Sequence, residues 1–167
     1  MEQFPSFAPQ PEPEKIPEQS LEKEIGWKEL ENHQFDESHF YRIVSEAGYQ
    51  DFLNTGVLRS SPEGTDSHIT ESGFDIGHRT TAFPSFSKGA PDLRYTKDGV
   101  NNYIFETDAE LYKRGDKNPA NGNPIKGRHW AYRAIDKETG RIITEIKPDM
   151  IAHIYKLDTQ GTLFIRE

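Results

Sequence analysis

One arginine in the sequence lies where a charged side chain is costly. Arg42 falls within the run FYRIV, whose aromatic and β-branched residues suit a half-buried strand. A guanidinium held in a strand can donate two parallel hydrogen bonds to a phosphate or a carboxylate, and it stays charged. Arg42 is therefore a candidate anion-binding residue, with an ion pair at the sheet edge as the alternative.

The segment FPSFSKG, residues 83–89, places two serines two positions apart and ends in glycine. On an extended backbone Ser85 and Ser87 point to the same side, and Gly89 would let the backbone approach a ligand. A nucleophilic serine needs a base such as histidine, and no histidine adjoins either serine in the sequence. The segment indicates polar contacts to a ligand or an ordinary junction between a strand and a turn.

A candidate carboxylate occurs late in the chain, in the segment RIITEIKP. A strand here would place Glu145 on the face of Ile143, with Ile142, Thr144 and Ile146 on the other face. A carboxylate that faces a cleft can accept a hydrogen bond from a sugar hydroxyl and stabilise a developing cation. The alternative is a surface carboxylate near a strand end, because a proline follows closely.

The histidines do not form a metal-binding pattern. No pair among the six has the His-x-x-x-His spacing of a zinc helix, and the chain has no cysteine for thiolate ligands, thiol catalysis or disulfides. We therefore predict no metal.

His129, in GRHWAYR, could contact a nucleic-acid base or begin a core strand. With Glu145, His129 or His153 could also supply the acid and base of a ribonuclease-like toxin.

The acidic charge is concentrated near the start of the chain. The first 40 residues hold 10 acidic and 3 basic side chains, and the 167 residues together have a net charge of −8. Residues 1–37 are rich in proline and glutamate, which predicts a disordered or extended leader. Residues 38–167 are nearly neutral and predict one domain, which argues against general binding to a nucleic-acid backbone.

No segment has the composition of a membrane span. The longest apolar runs fall far short of the roughly 20 residues that a membrane helix needs, and no cleaved signal peptide is visible. We expect a soluble protein without membrane contacts. It would be secreted or delivered into a target cell by a route that does not use such a signal, or else be cytoplasmic.

The order of elements predicts an α+β fold. A strand over residues 40–44 precedes a helix that begins after Ser45 and ends at Gly56, and residues 60–81 predict a long loop. Before them, SLEKEIGWKELENHQF predicts a short helix or turn. Later strands are expected in NNYIFETDAEL, HWAYRAID, RIITEI, MIAHIYKLD and TLFIRE.

Taken in chain order, these segments resemble the mono-ADP-ribosyltransferase toxins and effectors of the Arg-Ser-Glu class, the cholera-toxin-like group. FYRIVSEAGYQDFLNTGVLRSS is similar to that family's first strand and helix, and PSFSKGAPDL to its Ser-Thr-Ser segment. NNYIFETDAEL resembles the strand that follows, and GRIITEIKPDMIAHIY resembles the strand and loop of the catalytic glutamate. The resemblance spans about residues 38–158. It implies a split β-sandwich with a helix after the first strand.

The resemblance also implies roles for these residues in transferring ADP-ribose from NAD, the substrate, to a macromolecule without a metal. Arg42 would hold a phosphate of NAD, Ser85 would support the glutamate and the nicotinamide ribose, and Tyr41 and Ser87 would complete the NAD site. Glu145 would bind a ribose hydroxyl and stabilise the oxocarbenium-like centre as nicotinamide leaves. A protein target is expected ahead of a nucleic acid, with an immunity, chaperone or host activating protein as a further partner.

Two positions depart from the family pattern. Ile143 occurs where arginine-modifying members have glutamate and asparagine-modifying members have glutamine, so ordinary arginine modification is not expected. This leaves open a different target, another contact residue, or a non-catalytic adaptor with a degraded site. Phe86 replaces the middle threonine of Ser-Thr-Ser. His39 suggests the His-Tyr-Glu class related to diphtheria toxin, but large residues follow it, and we prefer the arginine class.

Overall fold

The computed structural model describes residues 26–59, 84–126 and 131–167, which form a mixed α+β fold. Six strands form one antiparallel sheet in the order β1-β6-β5-β4-β2-β3. The elements are β1 (Trp27–Leu30), β2 (Phe40–Val44), α1 (Glu46–Thr55), β3 (Ser87–Lys88), β4 (Asn102–Thr107), β5 (His153–Leu157) and β6 (Leu163–Arg166). Single 3-10 turns occur at Leu93–Tyr95 and Pro148–Met150.

Helix α1 follows β2 as the sequence predicted. The Ser45 side chain accepts a hydrogen bond from the Gly48 amide at 3.2 Å, which satisfies a donor that the first turn cannot pair internally. Gly56 ends the helix with φ of 82°, a left-handed conformation that favours glycine. The helix therefore begins directly after Ser45 and ends directly before Gly56, as the sequence predicted.

The sheet buries both of its faces. The face under α1 carries one apolar cluster, which we call the helix-side cluster; its buried members include Trp27, Phe40, Val44, Tyr49, Phe86, Tyr103 and Phe105. The other face carries the second-face cluster, whose buried members are Tyr41, Ile43, Ile104 and Tyr155. The predicted alternation along β2 is confirmed, because Phe40 and Val44 belong to one cluster and Tyr41 and Ile43 to the other.

Strand β1 lies within the segment predicted as a helix or turn, so that prediction is wrong for Trp27–Leu30, whereas residues 20–25 lie outside the described residues. Trp27 pairs with Arg166 of β6, and its buried ring packs against the stacked rings of Tyr49 and Tyr103 at centroid distances of 6.0 and 6.1 Å. This tertiary contact outweighs the weak helical periodicity of the segment. The sheet therefore includes residues N-terminal to the predicted boundary between 1–37 and 38–167.

Residues 131–147 are less regular than predicted. RIITEI and the described part of HWAYRAID form isolated bridges, between Phe86 and Tyr132, Ile135 and Ile142, and Leu58 and Ile146. The backbone bends at Thr144 and Glu145, so the strict alternation predicted for RIITEI does not hold. Ile143 and Ile146 consequently both pack in the helix-side cluster.

Several predictions fall outside the described residues. They concern the leader up to residue 25, the loop 60–81, and His129. Within the described ranges no helix has the length and apolar character needed to cross a bilayer.

Candidate functional site

Arg42 lies on the face of the sheet that α1 covers. It sits in β2 directly opposite Phe105 of β4, and only 5% of its surface is exposed. Its Nη1 donates a hydrogen bond of 3.0 Å to the carbonyl oxygen of Ser85. Burial lowers the pKa of the guanidinium to about 10, so it still carries its charge at neutral pH. A buried cation is thus held against the serine segment.

The serine segment enters the fold beside β2. Ser85 is 2% exposed, and its hydroxyl has no hydrogen-bond partner within the described ranges. Phe86 bridges to Tyr132, and the Ser87 hydroxyl donates to the Tyr41 carbonyl at 3.3 Å. The structure therefore brings the Arg42 guanidinium to the backbone carbonyl of Ser85, while the buried Ser85 hydroxyl is left unpaired in the described part of the chain.

Glu145 is not brought into contact with Arg42 or Ser85 in the described part of the chain. Its side chain is exposed beside the bridge between Leu58 and Ile146. Its charge is one of the smaller causes that raise the pKa of Arg59, after the ion pair of Arg59 with Asp51. The carboxylate lies at the surface, on a segment whose isoleucines anchor it to the helix-side cluster.

Tyr41 lies on the opposite face of the sheet from Arg42. Its hydroxyl donates a hydrogen bond of 2.8 Å to the Asp36 carbonyl, and burial raises its pKa. Alternation along β2 accounts for this separation. Tyr41 and Arg42 therefore do not present their side chains to one site.

The second face contains a hydrogen-bonded group that the sequence did not predict. Glu106 is 3% exposed, and its Oε1 accepts a hydrogen bond of 2.6 Å from the Tyr155 hydroxyl. Its Oε2 lies 2.5 Å from Nδ1 of His39. Both carboxylate oxygens are thus occupied, which offsets the cost of burying the charge. We call His39, Glu106 and Tyr155 the glutamate triad.

The triad depends on three adjacent strands. Glu106 in β4 is opposite Tyr41 in β2 and His153 in β5, while Tyr155 lies two residues along β5 on the same face. A signal did exist in the sequence, since Glu106 interrupts the apolar strand YIFET as Arg42 interrupts FYRIV. Its partners could not be identified without the strand order.

The triad can hold a proton on His39. The hydrogen bond to Glu106 is the main cause that raises the pKa of His39, while burial, the second-largest cause, acts in the opposite direction. Asp36 Oδ2 lies 3.4 Å from the other ring nitrogen, Nε2, and adds to the same effect. With 26% of its side chain exposed, His39 is an oriented imidazole that can exchange protons with solvent.

His153 and the predicted absence of a metal site remain to be compared with the structure. His153 is exposed at the start of β5, with its ring centroid 6.1 Å from that of Tyr155. Among the described residues no group of three or more histidine, aspartate or glutamate side chains could hold a metal ion.

No protein-family model, curated protein or solved structure matches this chain.

Proposed function

We propose that the chain transfers ADP-ribose from NAD to a macromolecular target, with a protein as the expected target. The observation that carries this proposal is the 3.0 Å hydrogen bond between Arg42 Nη1 and the Ser85 carbonyl. Arg42 and Ser85 are 43 positions apart and were predicted to bind NAD from their residue types and order, and this buried hydrogen bond brings them into contact. The proposal includes a role as a secreted toxin or effector in virulence.

The fold proposed with this function is the ADP-ribosyltransferase-like split β-sandwich. It is supported by the position of α1 directly after β2 and by residues 131–147, which pack over the helix-side face beyond the main sheet. In this arrangement Phe86 and Ile146 anchor the serine segment and the glutamate segment to one cluster. Both segments therefore border the face on which Arg42 lies.

The chemistry needs few groups. Arg42 supplies a positive charge toward the phosphates of NAD, and the Ser85 hydroxyl can bond the nicotinamide ribose. The bond between the ribose carbon and the nicotinamide nitrogen breaks, nicotinamide leaves with the electron pair, and Glu145 stabilises the oxocarbenium-like centre. A nucleophile of the target then adds to that carbon and loses its proton.

The test is an incubation of the full chain with NAD labelled in its adenylate half and a cell lysate. We expect release of nicotinamide and a labelled protein, and we expect Glu145→Gln to lower both by at least about 100-fold. Glu138→Gln is the matched control, because Glu138 is also exposed. The absence of both products from the unaltered chain, or equal rates for it and Glu145→Gln, would reject the proposal.

Proton-transfer chemistry at His39 is the second candidate function. It is favoured by the short contact of His39 with the buried Glu106 carboxylate, which orients the imidazole as a catalytic acid or base must be oriented. The ribonuclease alternative then depends on His39, with His153, whose ring centroid lies 6.1 Å from that of Tyr155, as a second histidine on this face. RNA cleavage that is abolished by His39→Gln and retained by Arg42→Lys would establish this function in place of the first.

A further inference from the structure

Two cations share one aromatic ring at the β1 side of the sheet. The Lys156 ammonium lies 5.4 Å from the centroid of the Trp27 ring, and the Arg166 guanidinium carbon lies 5.9 Å from it. The same guanidinium carbon is 5.8 Å from the centroid of Tyr49, and Nη1 donates a hydrogen bond to the Tyr49 hydroxyl. We call Trp27, Tyr49, Lys156 and Arg166 the cation pair site.

The sheet register places these residues together on the helix-side face. Trp27 is opposite Arg166 across β1 and β6, and Lys156 is opposite Phe164 across β5 and β6. Phe164 and Trp27 both belong to the helix-side cluster, so the two cations point into the side of the sheet that α1 covers. Lys156 is only 5% exposed despite its charge.

Neither cation has a carboxylate partner among the residues that the structure describes. The Lys156 ammonium forms no ion pair or hydrogen bond there, and the Arg166 side chain forms one hydrogen bond, to the Tyr49 hydroxyl. A buried ammonium normally acquires a counter-charge, and attraction to an aromatic face offsets only part of its desolvation. A buried ammonium without a counter-charge, next to the exposed guanidinium of Arg166 on the same Trp27 ring, therefore favours an anion at this place.

A pocket of about 200 Å³ adjoins the site. Its apolar lining includes Phe52, Ile151 and Ile154, and Arg166 and Glu167 also line it. The pocket is smaller than the roughly 300–1,000 Å³ of typical drug-sized sites, so it fits a single ring or a short branched chain. The Glu167 side chain brings a negative charge that would oppose an anion.

We propose that the cation pair site binds a small organic anion, whose carboxylate or phosphate lies against Arg166 and Lys156 and whose compact apolar group fills the adjoining pocket. Arg166, which lines the pocket, can present its planar fork to two oxygens, and the Lys156 ammonium on the same Trp27 ring adds a second positive charge. The site is separate from Arg42, since Ile154 and Phe105 lie between Arg166 and Arg42 in the same row of the sheet. It therefore does not depend on the proposed transferase function.

The test is a calorimetric titration of the full chain with phenyl phosphate and benzoate. Benzyl alcohol serves as the neutral probe and inorganic phosphate as the anion without an apolar group. We expect one of the two aromatic anions to bind at least about tenfold more tightly than either of these, and we expect affinity to fall as salt rises. The stronger of the two identifies the anionic group as phosphate or carboxylate.

Single substitutions test whether the anion binds at this site or is attracted by the general charge of the protein. Lys156→Met should weaken binding of the preferred anion at least about tenfold. Lys28→Met removes the same charge from an exposed side chain on the opposite face of β1, and it should leave affinity unchanged. Glu167→Gln should strengthen binding. Equal affinity for benzyl alcohol and both anions, or an equal loss in Lys28→Met and Lys156→Met, would overturn the proposal.

Folding of the variants can be checked by thermal unfolding. The proposal requires Lys156→Met to raise the unfolding midpoint, because it replaces a buried cation that has no counter-charge with an apolar side chain of similar size. The preferred anion should raise the midpoint of the unaltered chain but not that of Lys156→Met. A lowered midpoint for Lys156→Met would assign Lys156 a structural role and reject the anion site.

Discussion

Nδ1 of His39 lies 2.5 Å from Oε2 of Glu106, and this pair joins the start of β2 to the end of β4. Glu106 is almost fully buried, whereas His39 reaches solvent. The pair therefore connects the protonation of a surface imidazole to the electrostatic cost of an interior carboxylate. This connection gives the stability of the fold a dependence on pH.

Stability should fall as pH rises through the titration of His39. The pKa of His39 is raised in the folded state, chiefly by its hydrogen bond to Glu106, so folding favours the protonated ring. The contribution is complete below the unfolded pKa of about 6.5 and is lost as pH rises through the folded value. Urea unfolding between pH 5 and 9 measures this change.

Replacing His39 shows how much this residue contributes to the pH dependence of the free energy of unfolding. His39→Gln should remove about 1.5–3 kcal/mol at pH 5.5, the range for a hydrogen bond to a charged group, and should flatten the fall in stability. His153→Gln is the matched control, because His153 is exposed on the same face of the sheet. A slope that is unchanged by His39→Gln, or flattened equally by His153→Gln, would contradict this assignment.

The glutamate triad also predicts coupling between Glu106 and Tyr155. Tyr155→Phe removes the 2.6 Å hydrogen bond, and Glu106→Gln removes the charge but keeps an oxygen acceptor. We expect each variant to lower the free energy of unfolding by about 1–3 kcal/mol. The double variant should lose at least about 0.5 kcal/mol less than the sum of the two, because the interaction can be lost only once.

The matched control for this cycle is Glu106→Gln combined with Tyr95→Phe. Tyr95 is a partly buried tyrosine of the second-face cluster, and the two Glu106 oxygens contact Tyr155 and His39. Denaturant unfolding of all the variants provides the energies. Additive losses for Glu106 and Tyr155, within about 0.3 kcal/mol, would mean that the hydrogen bond adds nothing to stability.

The sequence carried enough information for local structure. Ser45 and Gly56 supply the cap and the stop of α1, and alternation along FYRIV assigns the two faces of β2. These features depend on neighbours a few residues apart, which the sequence displays directly. By the same reasoning Arg42 was recognisable as a costly residue before any contact was known.

Contacts between residues far apart in the chain could not be predicted from local sequence patterns. The contacts of Glu106 require β2, β4 and β5 to be adjacent, an order set by packing of the whole sheet rather than by any one segment. Trp27 belongs to a strand only because β6 pairs with it. Glu145 lies at the surface because the bend at Thr144 interrupts the alternation that predicted its face.

Arg42 should matter for both stability and activity. Arg42→Lys keeps the charge but loses the planar fork that reaches the Ser85 carbonyl, so we expect a loss of about 1–3 kcal/mol and of ADP-ribose transfer. Arg141→Lys, at an exposed position, should change neither. Unfolding in urea and nicotinamide release measure the two effects. Full transfer by a folded Arg42→Lys would remove Arg42 from the proposed NAD site.

Gly48 in the first turns of α1 should not tolerate a side chain. A Cβ atom at this position would lie 2.6 Å from Cγ1 of Val44, closer than two carbon atoms can approach. Alanine gains about 1 kcal/mol in helix propensity, but displacing a buried valine costs about 1–3 kcal/mol, so Gly48→Ala should be destabilising on balance. Denaturant unfolding measures the change.

Two further variants make the prediction for Gly48 specific. Gly26→Ala is the control, because a Cβ atom there would meet nothing within 4 Å, and it should leave stability nearly unchanged. In a Val44→Ala background the blocking methyl is absent, so Gly48→Ala should then stabilise the protein through helix propensity. A destabilisation of the same size in both backgrounds would show that the close approach of Val44 is not its cause.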